Sequence, residues 1–192
     1  MKRLTLLFVA LCGFVAAQSQ VADGYGPGAV PTRNKHVTFE KTVEGEALAA
    51  IGSDSIFQAI QSFTADRLSK PAVINSKVTE CDAASRRVVV NVEEYITFRN
   101  SFLVLDRTRI NYWLEMQATD NGYSLKMTRI KYWYDEERGD GERFSAEESI
   151  VDEYSLKAGG TKPVKAYYKF RVKTIDLFQS LNDNLNARIV KP

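Results

Sequence analysis

Nucleophilic catalysis asks for a serine or cysteine beside a base that can take its proton, most often a histidine. The chain has one histidine, His36. It opens a strand-like stretch and reads as a partly exposed strand residue. Cys81 lies in a turn-like CDAAS with no sequence neighbour to make its thiolate reactive, so it reads as an inert thiol. Zinc would need several His and Cys ligands, and the mature chain has one of each. DEERGDGE, Asp135 to Glu142, gathers carboxylates around two glycines. Aligned with Asp140-Gly141 at the fifth and sixth positions of a calcium loop, however, it sets Arg138 against the cation. The stretch reads as a solvated charged loop, and its Arg138-Gly139-Asp140 tripeptide as a chance match to an integrin-binding sequence. Glycoside hydrolysis by paired carboxylates could draw on Glu93, Glu94, Glu147 and Glu148. Adjacent acids in a strand face opposite ways, so Glu93 and Glu94 are no natural pair. No glycine-rich phosphate loop follows a strand. The expectation is a non-enzymatic protein with no catalytic residue, cofactor or metal.

The aromatic residues carry more. If Ile110, Tyr112 and Leu114 face a core, alternation turns Trp113 the other way, beside Arg107, Arg109, Asn111, Glu115 and Gln117. Tyr95 and Thr97 turn outward from their own strand, and Trp133 joins them or not according to a bulge. Rings among arginines form a candidate contact surface for protein, peptide or glycan, because they offer area with little rotamer entropy to lose. The candidate face is therefore Trp113, Tyr95, Trp133, Arg107 and Arg109. Two arrangements stay open: the rings are exposed, or they pack under the polar stretch 135–162.

These residues need a sheet to hold them. HVTFEKTVE, from His36, alternates as a first strand with Phe39 on its buried face. A helix follows with Ser53 as N-cap, Ile56, Phe57, Ile60, Phe63 and Leu68 along one stripe, and Pro71 at its end. Period-two patterning then covers Val73 to Glu80 and Arg86 to Arg99, with Val88, Val90, Val92, Ile96 and Phe98 sharing a face. A long strand runs from Leu105 to Ala118. Asp120, Asn121 and Gly122 tolerate positive φ and predict a tight hairpin. On the returning strand, Tyr123 to Tyr134, the apolar phase changes, which predicts a bulge at Thr128 and Arg129. Ser145-Ala-Glu-Glu148 has capping-box spacing for a short helix. A final helix is expected from Pro163 to about Arg188, with Phe170, Thr174, Leu177, Phe178, Leu181 and Leu185 as its stripe. The sum is an α+β fold in the order β-α-β-β-β-β-α, an antiparallel sheet of about five strands with two main helices on one face.

The chain's beginning reads as an address. Lys2 and Arg3, an apolar run from Leu4 to Val15, and small residues at Ala16 and Ala17 make a signal peptide over residues 1–19, cut after Ala17 or Ser19. The run is too short to span a bilayer. Leu11 before Cys12 disfavours lipid anchoring. Residues 20–35, rich in glycine and proline, read as a flexible tether to a single domain at 36–190. Loss of Lys2 and Arg3 lowers the basic count from 26 to 24, equal to the acidic count. A neutral mature chain is not drawn to nucleic acid. With Cys12 gone, Cys81 has no internal disulfide partner. The expected destination is a periplasm or cell surface, with no transmembrane helix in the mature chain.

SFLVLDRTRINYWLEM, Ser101 to Met116, and RIKYWYDEE, Arg129 to Glu137, together with FRVKTIDLF, Phe170 to Phe178, and the SAEE element, resemble an uncharacterised family of exported proteins from Bacteroides-type bacteria. The likeness spans about 37–187. It implies a TBP-like fold, a curved antiparallel sheet backed by helices, and no established activity. The functional expectation is a binding or interaction module of the bacterial envelope whose partner is an envelope protein, peptide or glycan, with self-association as a further option. The alternatives are a carboxylate-dependent hydrolase of envelope or dietary polymers and a structural subunit of an envelope assembly.

Overall fold

A computed structural model describes residues 20–102 and 104–191. The expected signal peptide therefore lies outside the described residues. The first strands among the described residues form a small hairpin, β1 (Thr32–Arg33) and β2 (His36–Val37), followed by β3 (Phe39–Glu44). Two helices follow, α1 (Glu46–Ile51) and α2 (Ser53–Leu68), then the long strands β4 (Val73–Asp82), β5 (Arg87–Ser101), β6 (Val104–Thr119) and β7 (Gly122–Tyr134). After these come β8 (Glu142–Ser145), the short α3 (Asp152–Ser155), the paired β9 (Leu156–Lys157) and β10 (Lys162–Pro163), and α4 (Lys165–Val190).

The main sheet is antiparallel, ordered β3-β7-β6-β5-β4, with β8 pairing the far half of β7. It has six strands where about five were expected, because RFS at 143–145 lies inside a stretch read as polar and irregular. Phe144 supplies the missing apolar anchor. It packs on Tyr132 and Phe170 with ring centroids 5.4 and 5.1 Å apart, a separation at which aromatic pairs attract.

Strand alternation sorts the core. Val88, Val90, Val92, Ile110, Tyr112, Leu114, Met116, Leu125 and Met127 are all buried on one face, under Ile56, Phe57, Ile60 and Phe63 of α2 and Phe170, Phe178, Leu181 and Leu185 of α4. Both main helices thus cover the same face. Glu94 falls in this apolar row, between Val92 and Ile96, and is almost fully buried. Arg67 of α2 donates to its carboxylate, and the Tyr112 hydroxyl donates to the same carboxylate over 2.7 Å. A charge taken from water needs such partners.

Local details depart from expectation for physical reasons. Ser53 is not an N-cap: α1 precedes it, and Gly52, at φ 82°, joins the two helices without a side-chain cap. Pro163 belongs to β10 opposite Leu156, so α4 starts at Lys165. The hairpin at Asp120-Asn121 forms, yet neither residue nor Gly122 takes positive φ. Gly122 serves a different need. A Cβ there would sit 2.0 Å from the Val43 carbonyl oxygen, so only glycine lets β3 close on β7.

Residues 20–35, expected as a flexible tether, lie instead on α4. Arg171, fully buried, donates from Nε to the Tyr25 carbonyl (2.7 Å) and from Nη2 to that of Gly26. The Tyr25 hydroxyl donates to Asp176 (2.6 Å), and the Gly28 amide to Asp152 (2.8 Å). Gly24 and Gly28 take positive φ, 84° and 79°, in the turns of this segment, while Val30 enters the core. No helix among the described residues is long and apolar enough to cross a membrane.

Candidate functional site

The sheet face opposite the helices is set by rows of cross-strand neighbours. One row joins Tyr95, Arg109, Trp133 and Arg143 across β5, β6, β7 and β8; the next joins Glu93, Asn111, Lys131 and Ser145. Beyond the bulge, Asn91, Trp113 and Thr128 form a third. The bulge sits where the phase change places it, with the register shifting between Asn111 and Trp113 opposite an Arg129 at φ 53°. It keeps Trp133 on the same face as Trp113. Because Phe144 turns into the core, Arg143 and Ser145 turn out onto this face.

The five expected residues are brought together, with their ring faces already occupied. The Arg107 guanidinium lies 3.9 Å from the Tyr95 ring centre. Trp133 carries Arg109 at 4.6 Å and Arg143 at 4.0 Å, and Trp113 carries Arg129 at 4.5 Å. These are cation–π separations. The loop after β7 covers part of the row. The Tyr95 hydroxyl donates to Glu136, Arg109 pairs with Glu136, Arg107 with Glu137 (3.3 Å), and the Trp133 indole N–H donates to the Asp140 carbonyl (2.9 Å). Both open arrangements therefore hold in part: Tyr95 and Trp133 are held by the loop at 135–140, and Trp113 lies beyond it. Burial pulls the Arg109 pKa down, but Tyr95, Glu136 and Glu93 outweigh it and the net shift is upward.

Two clefts adjoin on this face. One, of ≈ 460 Å³, is bordered by Glu93, Arg109, Lys131, Trp133, Arg143 and Glu148. The other, of ≈ 760 Å³, is bordered by His36, Trp113, Thr128, Arg129 and Glu147. Asn111, Lys131 and Ser145 line both, so they join into one groove across β6, β7 and β8. Arg129, Lys131 and Arg143 were not singled out from sequence. The bulge at Arg129 was legible, but β8 was not, and without β8 the position of Arg143 could not be read.

The carboxylates considered for hydrolysis are separated by the fold. Glu94 is in the core with Arg67 and Tyr112. Glu93 faces the groove, 3.8 Å from Arg109. Glu147 accepts from the Val37 amide (2.8 Å) and stands 3.9 Å from His36. Glu148 accepts from the Ser145 amide and hydroxyl, both 2.9 Å, and the amide bond first of all holds its pKa below the usual carboxylate range. That is the reciprocal half of a capping box, although a run of turns follows rather than a regular helix. In the acidic loop, Glu136 and Glu137 are engaged by arginines and Asp135 pairs with Arg138 (3.8 Å). Cys81 is exposed, with the Gln61 amide donating to its sulfur over 3.4 Å.

An antiparallel sheet with its helices confined to one face and its other face open defines a TBP-like α+β domain. Residues 39–133 match the model of the family described as a domain of unknown function (DUF4468) with TBP-like fold. The crystal structure of a DUF4468 family protein from Bacteroides ovatus is 27% identical, with a TM-score of 0.78 over 88% of this chain and 95% of that one. A TBP-like protein from Parabacteroides distasonis shares the fold at 20% identity, with a TM-score of 0.67 over 84% of this chain and 97% of that one. No curated protein matches the chain.

Proposed function

We propose that the chain is an exported, non-enzymatic binding module of the bacterial envelope, and that the helix-free sheet face is its contact surface. One observation carries this reading: both tryptophans of the chain stand on that face, along one groove, each under an arginine. A sheet face needed only for solubility has no use for two indoles, which are costly to hydrate and are enriched where surfaces meet. The balance of charge after export speaks against nucleic acid as the partner.

The hydrolase alternative has one observation in its favour, since Glu93 and Glu148 border the same cleft. A general acid of that chemistry needs a raised pKa. The Ser145 amide holds Glu148 in the opposite direction and Arg109 stands 3.8 Å from Glu93, so neither carboxylate has the setting of a general acid and binding is the stronger reading. The test is retention of envelope components on the immobilised chain, compared with a Trp113→Ala, Trp133→Ala double variant shown by circular dichroism to be folded. Loss of the retained components is expected. Retention of the same set by the double variant would remove this face from the function.

A further inference from the structure

Resting on the reading of this face as a contact surface, we infer that the groove binds an acidic glycan, a linear chain of uronate type, through Arg143, Lys131 and Arg129. Among the described residues, these three cations make no ion pair and no hydrogen bond, and all are exposed. By contrast, Arg107 and Arg109 are neutralised by Glu137, Glu136 and Glu93. Three carboxylates border the groove too, but Glu93 faces Arg109, Glu147 caps the Val37 amide, and Glu148 caps Ser145. The groove lining thus carries four basic side chains, Arg109 among them, against three carboxylates, and three of the four cations have no partner among the described residues.

The shape of that offer selects the ligand. The Arg143 and Arg129 guanidinium carbons stand 4.0 and 4.5 Å from the Trp133 and Trp113 ring centres, which restricts both side chains, and their N–H groups, unpaired among the described residues, are open to carboxylate oxygens. A neutral sugar that stacks on a bare ring finds the guanidiniums of Arg109 and Arg143 against Trp133 and that of Arg129 against Trp113. Along the groove floor β7 offers a peptide no strand edge, and the free edge beside it, β8, is only four residues long. β7 is paired on one side with β6 and on the other with β3 and then β8, and the Ile130 carbonyl between them accepts from the Ala146 amide. What remains are side-chain donors along a groove, with Lys131 between the two stacked arginines. That suits a stiff chain bearing carboxylates on its rings, which loses little conformational entropy on binding.

Titration of the chain with polygalacturonate, followed by tryptophan emission at low and physiological salt, tests the assignment, with neutral galactan and poly-L-glutamate as comparators. A saturable change is expected with polygalacturonate, weakening as salt rises. Arg143→Gln and Lys131→Gln are each expected to weaken it about tenfold, with Lys131→Arg recovering most of the loss. Galactan should give no response and poly-L-glutamate a weaker one. No saturable response to polygalacturonate, an equal or tighter response to poly-L-glutamate, or unchanged affinity in both Gln variants would overturn the assignment. None of these results alters the envelope-retention comparison of the tryptophan variants, so the ligand class and the use of the face fail separately.

Discussion

At the scale of single residues, this fold keeps its phenols neutral and its buried charges held. Tyr112, Tyr123 and Tyr132 are all raised above the ordinary phenol value of 10.0, in each case first by burial. Nearby Glu94 adds to the effect at Tyr112, and Asp183 at Tyr123, which is pushed up to about 12. A group raised in the folded state contributes stability that is intact below its unfolded value and is lost as pH climbs through the folded one. Stability is therefore expected to fall from pH 10 upward. In a phenolate absorbance titration, these three of the nine tyrosines should ionise only with the loss of native ellipticity. Smooth titration of all nine near the ordinary value, in a chain that stays folded, would contradict the packing around them. Residue types were enough to read Tyr112 as core. They were not enough to read Glu94, because a buried carboxylate is made tolerable by Arg67, which lies 27 residues earlier and meets it only once α2 has docked.

At the scale of elements, two segments were harder to read than the long strands. The Val and Ile alternation of β5, the Ile110 to Met116 row of β6 and the phase change at Arg129 were each plain, because a sheet buried on one face writes its period into the sequence. β8 was hidden by its length, with Phe144 as its one strong apolar residue. The packing of residues 20–35 was hidden because much of what holds them is backbone, the Tyr25 and Gly26 carbonyls and the Gly28 amide, which no side-chain pattern reports. Removing residues 20–31 is expected to lower stability by about 3 kcal/mol, since it strips the Tyr25 and Gly26 carbonyls from a guanidinium with no access to water. Thermal unfolding of the shortened chain measures this, and an unchanged midpoint would mean that the segment is a free tether. Gly122→Ala should cost more than about 2 kcal/mol in urea unfolding, because its methyl would meet the Val43 carbonyl and force β3 away from β7. Unchanged stability would mean that β3 pairs more loosely than the register shows.

At the scale of the whole molecule, the helices take one face of the sheet and leave the other to side chains. The five residues expected on that face are on it: period two decides Tyr95, Arg107, Arg109 and Trp113 once the core side is known, and the bulge at Arg129 decides Trp133. Which of them meets a ligand was not legible. That depends on β8 bringing Arg143 to Trp133, on the loop at 135–140 tying down Tyr95 and Arg109, and on the positive φ that lays Arg129 over Trp113. The surface that results is more cationic than alternation suggested, with guanidinium groups against each of its rings. Because both tryptophans lie along the groove, anything seated there must shield them from solvent. Acrylamide quenching of tryptophan emission, measured with and without an envelope component that the chain retains, is the most direct test of the face as contact surface. Reduced quenching of both indoles in the complex is the predicted result. Unchanged quenching while the component is demonstrably bound would place the contact elsewhere on the molecule.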